Sequence, residues 1–163
     1  MLITRWLLSV WLWLDIALVS IVGFGMQAAI FAVTGPFDRR RYAAGRFYRL
    51  MAVAVTALNP LWDFKVSTPL PSYRPRKTVV ISNHQSNADA FLISHLPWEM
   101  KWLGKASLFK IPVLGWSMWM AGDIPLKRGT RDSAKGAMAI AATWLSRGMP
   151  VMIFPEGTRS PDE

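Results

Sequence analysis

Between Ile16 and Phe37 the chain carries no charged residue, and from Trp6 to Phe37 the only charge is Asp15. A stretch of that length can cross a hydrocarbon layer about 30 Å thick or lie along its surface as an anchor. It exceeds the apolar core of a secretory signal, and no small-residue cleavage site follows it. Arg39, Arg40 and Arg41 follow instead, and with Arg46 and Arg49 they outnumber the single Arg5 in front. The bias of positive charge toward the cytoplasm then places the side after Phe37 there.

A second apolar stretch, Leu50 to Trp62, is too short to span alone. Either the first helix spans and the second lies on the surface, or the two form a hairpin within one leaflet. Trp6, Trp11 and Trp13 suit an interfacial depth, and Asp15 is awkward in mid-bilayer. The chain is 52% hydrophobic with a net charge of +9 and nine tryptophans. That pairing fits an anionic membrane surface better than a nucleic acid, for which no motif is visible. With no cysteine, disulfides, thiolate metal sites and a cysteine nucleophile are excluded.

After Pro60 the character changes. Pro69, Pro71 and Pro75 with Arg74, Arg76 and Lys77 read as an extended basic linker. Thr78 to Ile81 is β-branched without polar alternation and predicts a strand buried on both faces. A helix is expected from Ala88 to His95, stopped by Pro97, with strands at Lys101–Leu103 and Ile124–Leu126. Helices are expected over Ile111–Ala121 and Ser133–Arg147, the latter ended by Gly148, and a buried strand over Val151–Phe154. Strands alternating with helices imply an α/β fold with a mainly parallel sheet.

Two loops leave strand C-terminal ends, the edge where open α/β sheets place ligands. The first is Asn83-His84-Gln85-Ser86-Asn87-Ala88-Asp89. On one continuous helix His84 and Asp89 would point about 140° apart. They meet only if His84 precedes the helix and the chain turns, which capping by Ser86 or Asn87 predicts. A histidine oriented by a carboxylate is a general base. Without a Gly-x-Ser-x-Gly elbow or a cysteine, the nucleophile is the substrate's own hydroxyl. The bland alternative is a capped helix start with an exposed histidine. His95, near a helix end, is expected to serve the helix dipole, and two histidines give a poor metal site. The second loop is Phe154-Pro155-Glu156-Gly157-Thr158-Arg159-Ser160, where Gly157 permits close backbone approach and Arg159 offers a fork of donors to a phosphate. Its bland alternative is a tight turn with a Glu156–Arg159 surface pair.

These loops resemble the first and third signature blocks of the glycerolipid acyltransferase family, the bacterial 1-acyl-glycerol-3-phosphate acyltransferases. Lys105 to Pro112, Gly115-Trp116 and Gly122 to Arg128 resemble the family's lysine-containing segment and second block, so the likeness runs in order from Val79 to Ser160. Two departures stand out. Lys127 occupies a position that is often Asp, and the chain stops at Glu163 before the family's fourth, proline-containing block.

The resemblance implies membrane-anchoring helices over 1–63, a basic linker over 64–77 and an acyltransferase α/β domain over 78–163, incomplete at its C-terminus. It implies that His84 deprotonates the sn-2 hydroxyl of lysophosphatidic acid and that Asp89 orients it. The oxygen then attacks an acyl-CoA or acyl-carrier-protein thioester without an acyl-enzyme. Glu156, Gly157, Thr158 and Arg159 bind the acceptor, with Arg128 and Lys105 as further cations. No cofactor or metal is expected; the partners are the two substrates and membrane lipids. The expected place is the bacterial inner membrane with the site facing the cytoplasm. Competing readings are acylation of another lyso-lipid, such as a lyso-ornithine lipid, and a non-catalytic basic protein of the membrane surface.

Overall fold

The computed structural model describes residues 2–59, 62–65 and 69–155. Helix α1, Leu2–Thr34, has 33 residues and is therefore about 50 Å long. Its span Trp6–Thr34 is long and apolar enough to cross a membrane, and only 11% of its most apolar window is buried. A soluble core helix of that length would be covered. Leu14, Leu18, Ile21, Val22, Met26 and Val33 instead recur at helical spacing as exposed apolar side chains. The face fits membrane association.

The opposite stripe is polar and small. Asp15, Gly23 and Gln27 are buried at four- and eight-residue steps. A side chain at Gly23 would strike Met51, and Gln27 donates to the carbonyls of Ala44 (3.2 Å) and Ser117 (3.0 Å). As the α1 position rises its partner's number falls, so α1 and α2 (Tyr42–Leu58) run antiparallel. Expectation and structure differ here. The second helix begins at Tyr42, not at Leu50. Arg49, counted above as a cytoplasmic flank, lies inside the helix and is buried. Its charge is tolerated because Asp123 and Glu99 meet it.

Four strands follow: β1 (Val79–Ile81), β2 (Lys101–Lys105), β3 (Ile124–Leu126) and β4 (Val151–Ile153). All pair in parallel in the order β1-β4-β2-β3, with Val79 and Lys101 both opposite Val151. Successive β4 residues serve opposite faces. Val151 packs with Ile124, Ala137, Ala141, Trp144 and Met149, which brings in α5 (Arg131–Ser146). Met152 packs with Trp98, Met100 and Trp102, which brings in Ile93 of α3 (Ala88–Ser94). β1 departs from the expected burial on both faces. It pairs only with β4 among the described strands, and Val79 and Ile81 are 49% and 67% exposed. Uniform apolarity reported the strand correctly but not its edge position.

The expected helix from Ile111 starts later. A 3₁₀ turn, Leu108–Lys110, precedes α4 (Leu114–Ala121), because Pro112 lacks the N–H that a continuous helix needs. Gly122 ends α4 at φ +81°, where any β-carbon would press on Trp144 at 2.8 Å. That turn delivers Asp123 to the start of β3.

Candidate active site

The loop between β1 and α3 does what the spacing of His84 and Asp89 required. The backbone turns at Gln85–Asn87, and His84 Nδ1 lies 2.8 Å from Asp89 Oδ2. The same oxygen accepts from the amides of Gln85 and Ser86, both at 2.9 Å. Ser86 Oγ in turn accepts from the amide of Ala88 at 3.1 Å, so the capping side chain is that of Ser86 and not that of Asn87. Partial burial pushes the Asp89 carboxyl up, but the Ser86 amide, the imidazole and the Gln85 amide outweigh it and hold the group below the usual carboxylate range. An ionised carboxylate only accepts, so Nδ1 carries the proton and Nε2 of the neutral ring presents its lone pair. Both side chains stay partly open, at 17% and 20% exposure.

Phe154, the first residue after β4, stacks on His84 with ring centroids 4.3 Å apart and planes inclined by 26°. Sequence reasoning assigned it no such part. The available signal was an aromatic residue at the exit of the strand that neighbours β1. The ring is fixed from behind by Trp102, edge-on at 6.4 Å.

Because all four strands are parallel, Lys105 at the end of β2 and Arg128 in the turn after β3 share this edge with His84. Both are exposed. β2 and β3 stand two and three strand positions from β1, about 10 and 14 Å at ordinary strand spacing. Neither cation contacts the His84–Asp89 pair. Glu156, Gly157, Thr158 and Arg159 lie outside the described residues.

Two other expectations resolve differently. His95 caps α3 but docks on α2: its Nε2 is 2.9 Å from Thr56 Oγ1, and its ring meets Phe64 edge-on. Asp123, read only as part of a motif, belongs to a buried cluster. Arg49 is hydrogen-bonded to Asp123 and lies 3.6 Å from Glu99, while Lys101 lies 3.3 Å from Glu99 and donates to the carbonyls of Ala121 (2.6 Å) and Arg41 (3.1 Å). Lys101 opens β2 and Asp123 precedes β3, so this cluster sits at the sheet edge opposite His84. Nothing in the sequence announces a pair 74 residues apart.

Comparisons with known proteins agree with this architecture. Residues 63–163 match the family model described as Acyltransferase. A 1-acyl-sn-glycerol-3-phosphate acyltransferase of Chlamydomonas reinhardtii is 38% identical over 128 residues, which cover 77% of this chain and 38% of the relative. Enzymes of the same name from Haemophilus influenzae and Escherichia coli are 34% and 33% identical over 108 residues, covering 63% of this chain and 45% and 44% of theirs. The chain thus spans under half the length of the curated relatives it matches. The crystal structure of the 1-acyl-sn-glycerophosphate (LPA) acyltransferase PlsC from Thermotoga maritima superposes with a TM-score of 0.67 at 25% identity, covering 94% of this chain and 62% of that one. With its His84–Asp89 pair at the C-terminal edge of a parallel sheet and this match over most of its length, the chain belongs to the acyltransferase family.

Proposed function

We propose that the protein transfers a fatty acyl group from acyl-CoA or acyl-carrier protein to the sn-2 hydroxyl of lysophosphatidic acid, giving phosphatidic acid. The observation that carries this reading is the imidazole itself: Nδ1 is tied to Asp89 and Nε2 is left as the base. The names of the relatives supply the acceptor. Nε2 removes the hydroxyl proton as the oxygen attacks the thioester carbonyl. The tetrahedral intermediate collapses, the C–S bond breaks, and the imidazolium returns its proton to the departing thiolate. No acyl-enzyme forms and no cofactor or metal takes part. Asp89 stabilises the transient imidazolium, and general-base help of this kind contributes about 10²–10⁴-fold. Lys105, Arg128 and Arg159 supply positive charge for the acceptor phosphate, and Glu156, Gly157 and Thr158 complete its loop.

Acceptor and product are both lipids, so an exposed apolar α1 beside the α/β unit is the expected companion of this chemistry. The contacts of Gly23 with Met51 and of Gln27 with Ala44, which pack α1 against α2, favour a hairpin in one leaflet over a lone spanning helix. We place the protein at the bacterial inner membrane with the site on the cytoplasmic side, the side marked by Arg39, Arg40 and Arg41, and with no nucleic-acid partner. The test is expression of the intact gene product in a strain lacking this acyltransferase, followed by lipid analysis. Phosphatidic acid should accumulate with the wild-type gene and fail to do so with His84→Ala. Acylation of a different lyso-lipid with no gain of phosphatidic acid would overturn the acceptor.

A further inference from the structure

Where α1 ends, the chain turns through Gly35 to Arg41 and meets the C-terminus of α5. An open cavity of about 670 Å³ lies there, lined by Phe31, Pro36, Asp38, Arg39, Arg41 and Arg147 among others. Arg40 stands beside it, within 4 Å of where a β-carbon on Gly148 would sit. Three guanidinium groups, those of Arg39, Arg41 and Arg147, therefore line one crevice. Among the described residues none of them forms an ion pair. The one carboxylate of the lining, Asp38, is engaged elsewhere: it accepts from the amides of Arg40 (3.2 Å) and Ala43 (2.8 Å) and so caps α2.

Two of the cations, Arg41 and Arg147, are also held in place. Arg41 donates to the carbonyl of Trp119 and lies over the rings of Phe31 and Trp119. Arg147 donates to the carbonyl of Arg39 at 3.2 Å and lies over Trp144. Desolvation and the like charge of Arg147 both lower the affinity of Arg41 for its proton. Three fixed guanidinium charges around the single carboxylate of Asp38 leave a net positive crevice, and a bound anion would offset their repulsion.

We propose that this crevice holds the phosphate of an anionic phospholipid headgroup from the bilayer against which α1 lies. The exposed apolar side chains of α1, from Trp6 through Met26 to Val33, are followed in the next turn by Phe37, which is 88% exposed and two residues before Arg39. A phosphate sitting next to an unpartnered apolar helix is the arrangement a phospholipid offers, and paired guanidiniums suit its oxygens. The site is not the proposed acceptor site. Arg147 precedes β4 and Phe154 follows it, so the crevice and His84 lie at opposite edges of the sheet.

The test is vesicle flotation of the whole protein, with pure phosphatidylcholine and with phosphatidylcholine containing phosphatidylglycerol. Each surface cation near such a membrane contributes about fivefold, so Arg39→Gln with Arg147→Gln should weaken partition to anionic vesicles about thirtyfold. Binding to pure phosphatidylcholine, which rests on α1, should not change. Arg74→Gln with Arg76→Gln removes the same charge from the linker and should cost much less. Arg39→Gln alone, whose side chain makes no hydrogen bond in the fold, should show about a fivefold loss and guards against misfolding of the double variant. Equal losses in the crevice and linker variants would overturn the proposal, as would no loss in either crevice variant. Protection from thermal unfolding by inorganic phosphate, abolished by Arg39→Gln while vesicle partition stays unchanged, would assign the crevice to a free anion and also overturn it.

Discussion

Where the strands begin, Arg49, Glu99, Lys101 and Asp123 are sealed among Trp102, Trp144 and the carbonyls of Arg41, Met100 and Ala121. Where the strands end, His84 and Asp89 keep one ring nitrogen open, and Lys105 and Arg128 stand in solvent. The same sheet handles charge in two ways. A sealed cluster of matched charges adds little net stability over an apolar core, but it fixes which face of α2 can lie on the sheet. A side chain at Gly45 would collide with the Glu99 carboxylate, so the cluster and the helix fit in one register. The open pair adds little to the fold and can exchange a proton with a substrate. One edge positions the anchor; the other is left free for chemistry.

Substitutions at the two edges should therefore fail in different assays. His84→Ala should lower acyl transfer by about 10²–10⁴-fold or more while urea unfolding and membrane partition stay near wild type. Asp89→Asn should lose most of the activity as well, since a side-chain amide that donates to Nδ1 selects the wrong tautomer. A folded His84→Ala protein with near-normal turnover would remove the distinction between the edges.

At the sealed edge the order is reversed. Arg49→Met leaves Asp123 and Glu99 buried without their partner and should cost about 3–5 kcal/mol, a large share of the stability of a domain this size. Arg49→Met combined with Asp123→Asn should cost clearly less than the sum of the two single changes, because each single change strands a charge that the double change neutralises. Unfolding midpoints of the four proteins decide this, and additive losses would mean that the pair is not coupled.

The sequence made the two edges unequally legible. His84 and Asp89 are five residues apart on one loop, and a local turn with a Ser86 cap brings them together, so the spacing and the capping residues together predicted the contact. The strand and helix order followed from apolar runs and glycine punctuation. The sealed cluster draws on α2, β2 and the α4–β3 turn, and periodicity carries no information about which distant charges will meet. Its charges instead misled or stayed silent: Arg49 looked like a membrane flank, and Lys101 stood only as the first residue of an expected strand. The edge position of β1 was hidden for the same reason, since strand order depends on long-range pairing and not on composition.

A smaller effect is expected from the acceptor loop. Arg159 follows Phe154, the residue that stacks on His84, by five positions in the sequence, and on the proposed reading Arg159→Ala should raise KM for lysophosphatidic acid about ten- to a hundredfold, as charge-assisted bonds to phosphate contribute about 1.5–3 kcal/mol. Arg159→Lys should recover part of this, because an ammonium cannot form two parallel bonds. KM for the thioester should move much less. An equal rise for donor and acceptor would take Arg159 out of the phosphate site.

The smallest effect separates the edges by pH. Asp89 has a folded-state proton affinity below its unfolded one, so its ionised form stabilises the fold above the usual carboxylate range, and that contribution is lost as pH falls through the depressed folded value. Glu99 has the opposite sign. Burial raises its proton affinity despite Lys101 and Arg49, with Asp123 adding to the rise. Its protonation in the folded state begins at higher pH than in the unfolded chain, so acidification through that window relieves a cost. Asp89→Asn should flatten the acid loss of stability seen in the wild type, and Glu99→Gln should steepen it. Each change should be on the order of 1 kcal/mol, the net size of a hydrogen bond to these groups. Urea unfolding of the three proteins from neutral pH down to about pH 2.5 measures both slopes. If the two variants shifted the slope in the same direction, the sealed and open carboxylates would not differ in the way their surroundings require.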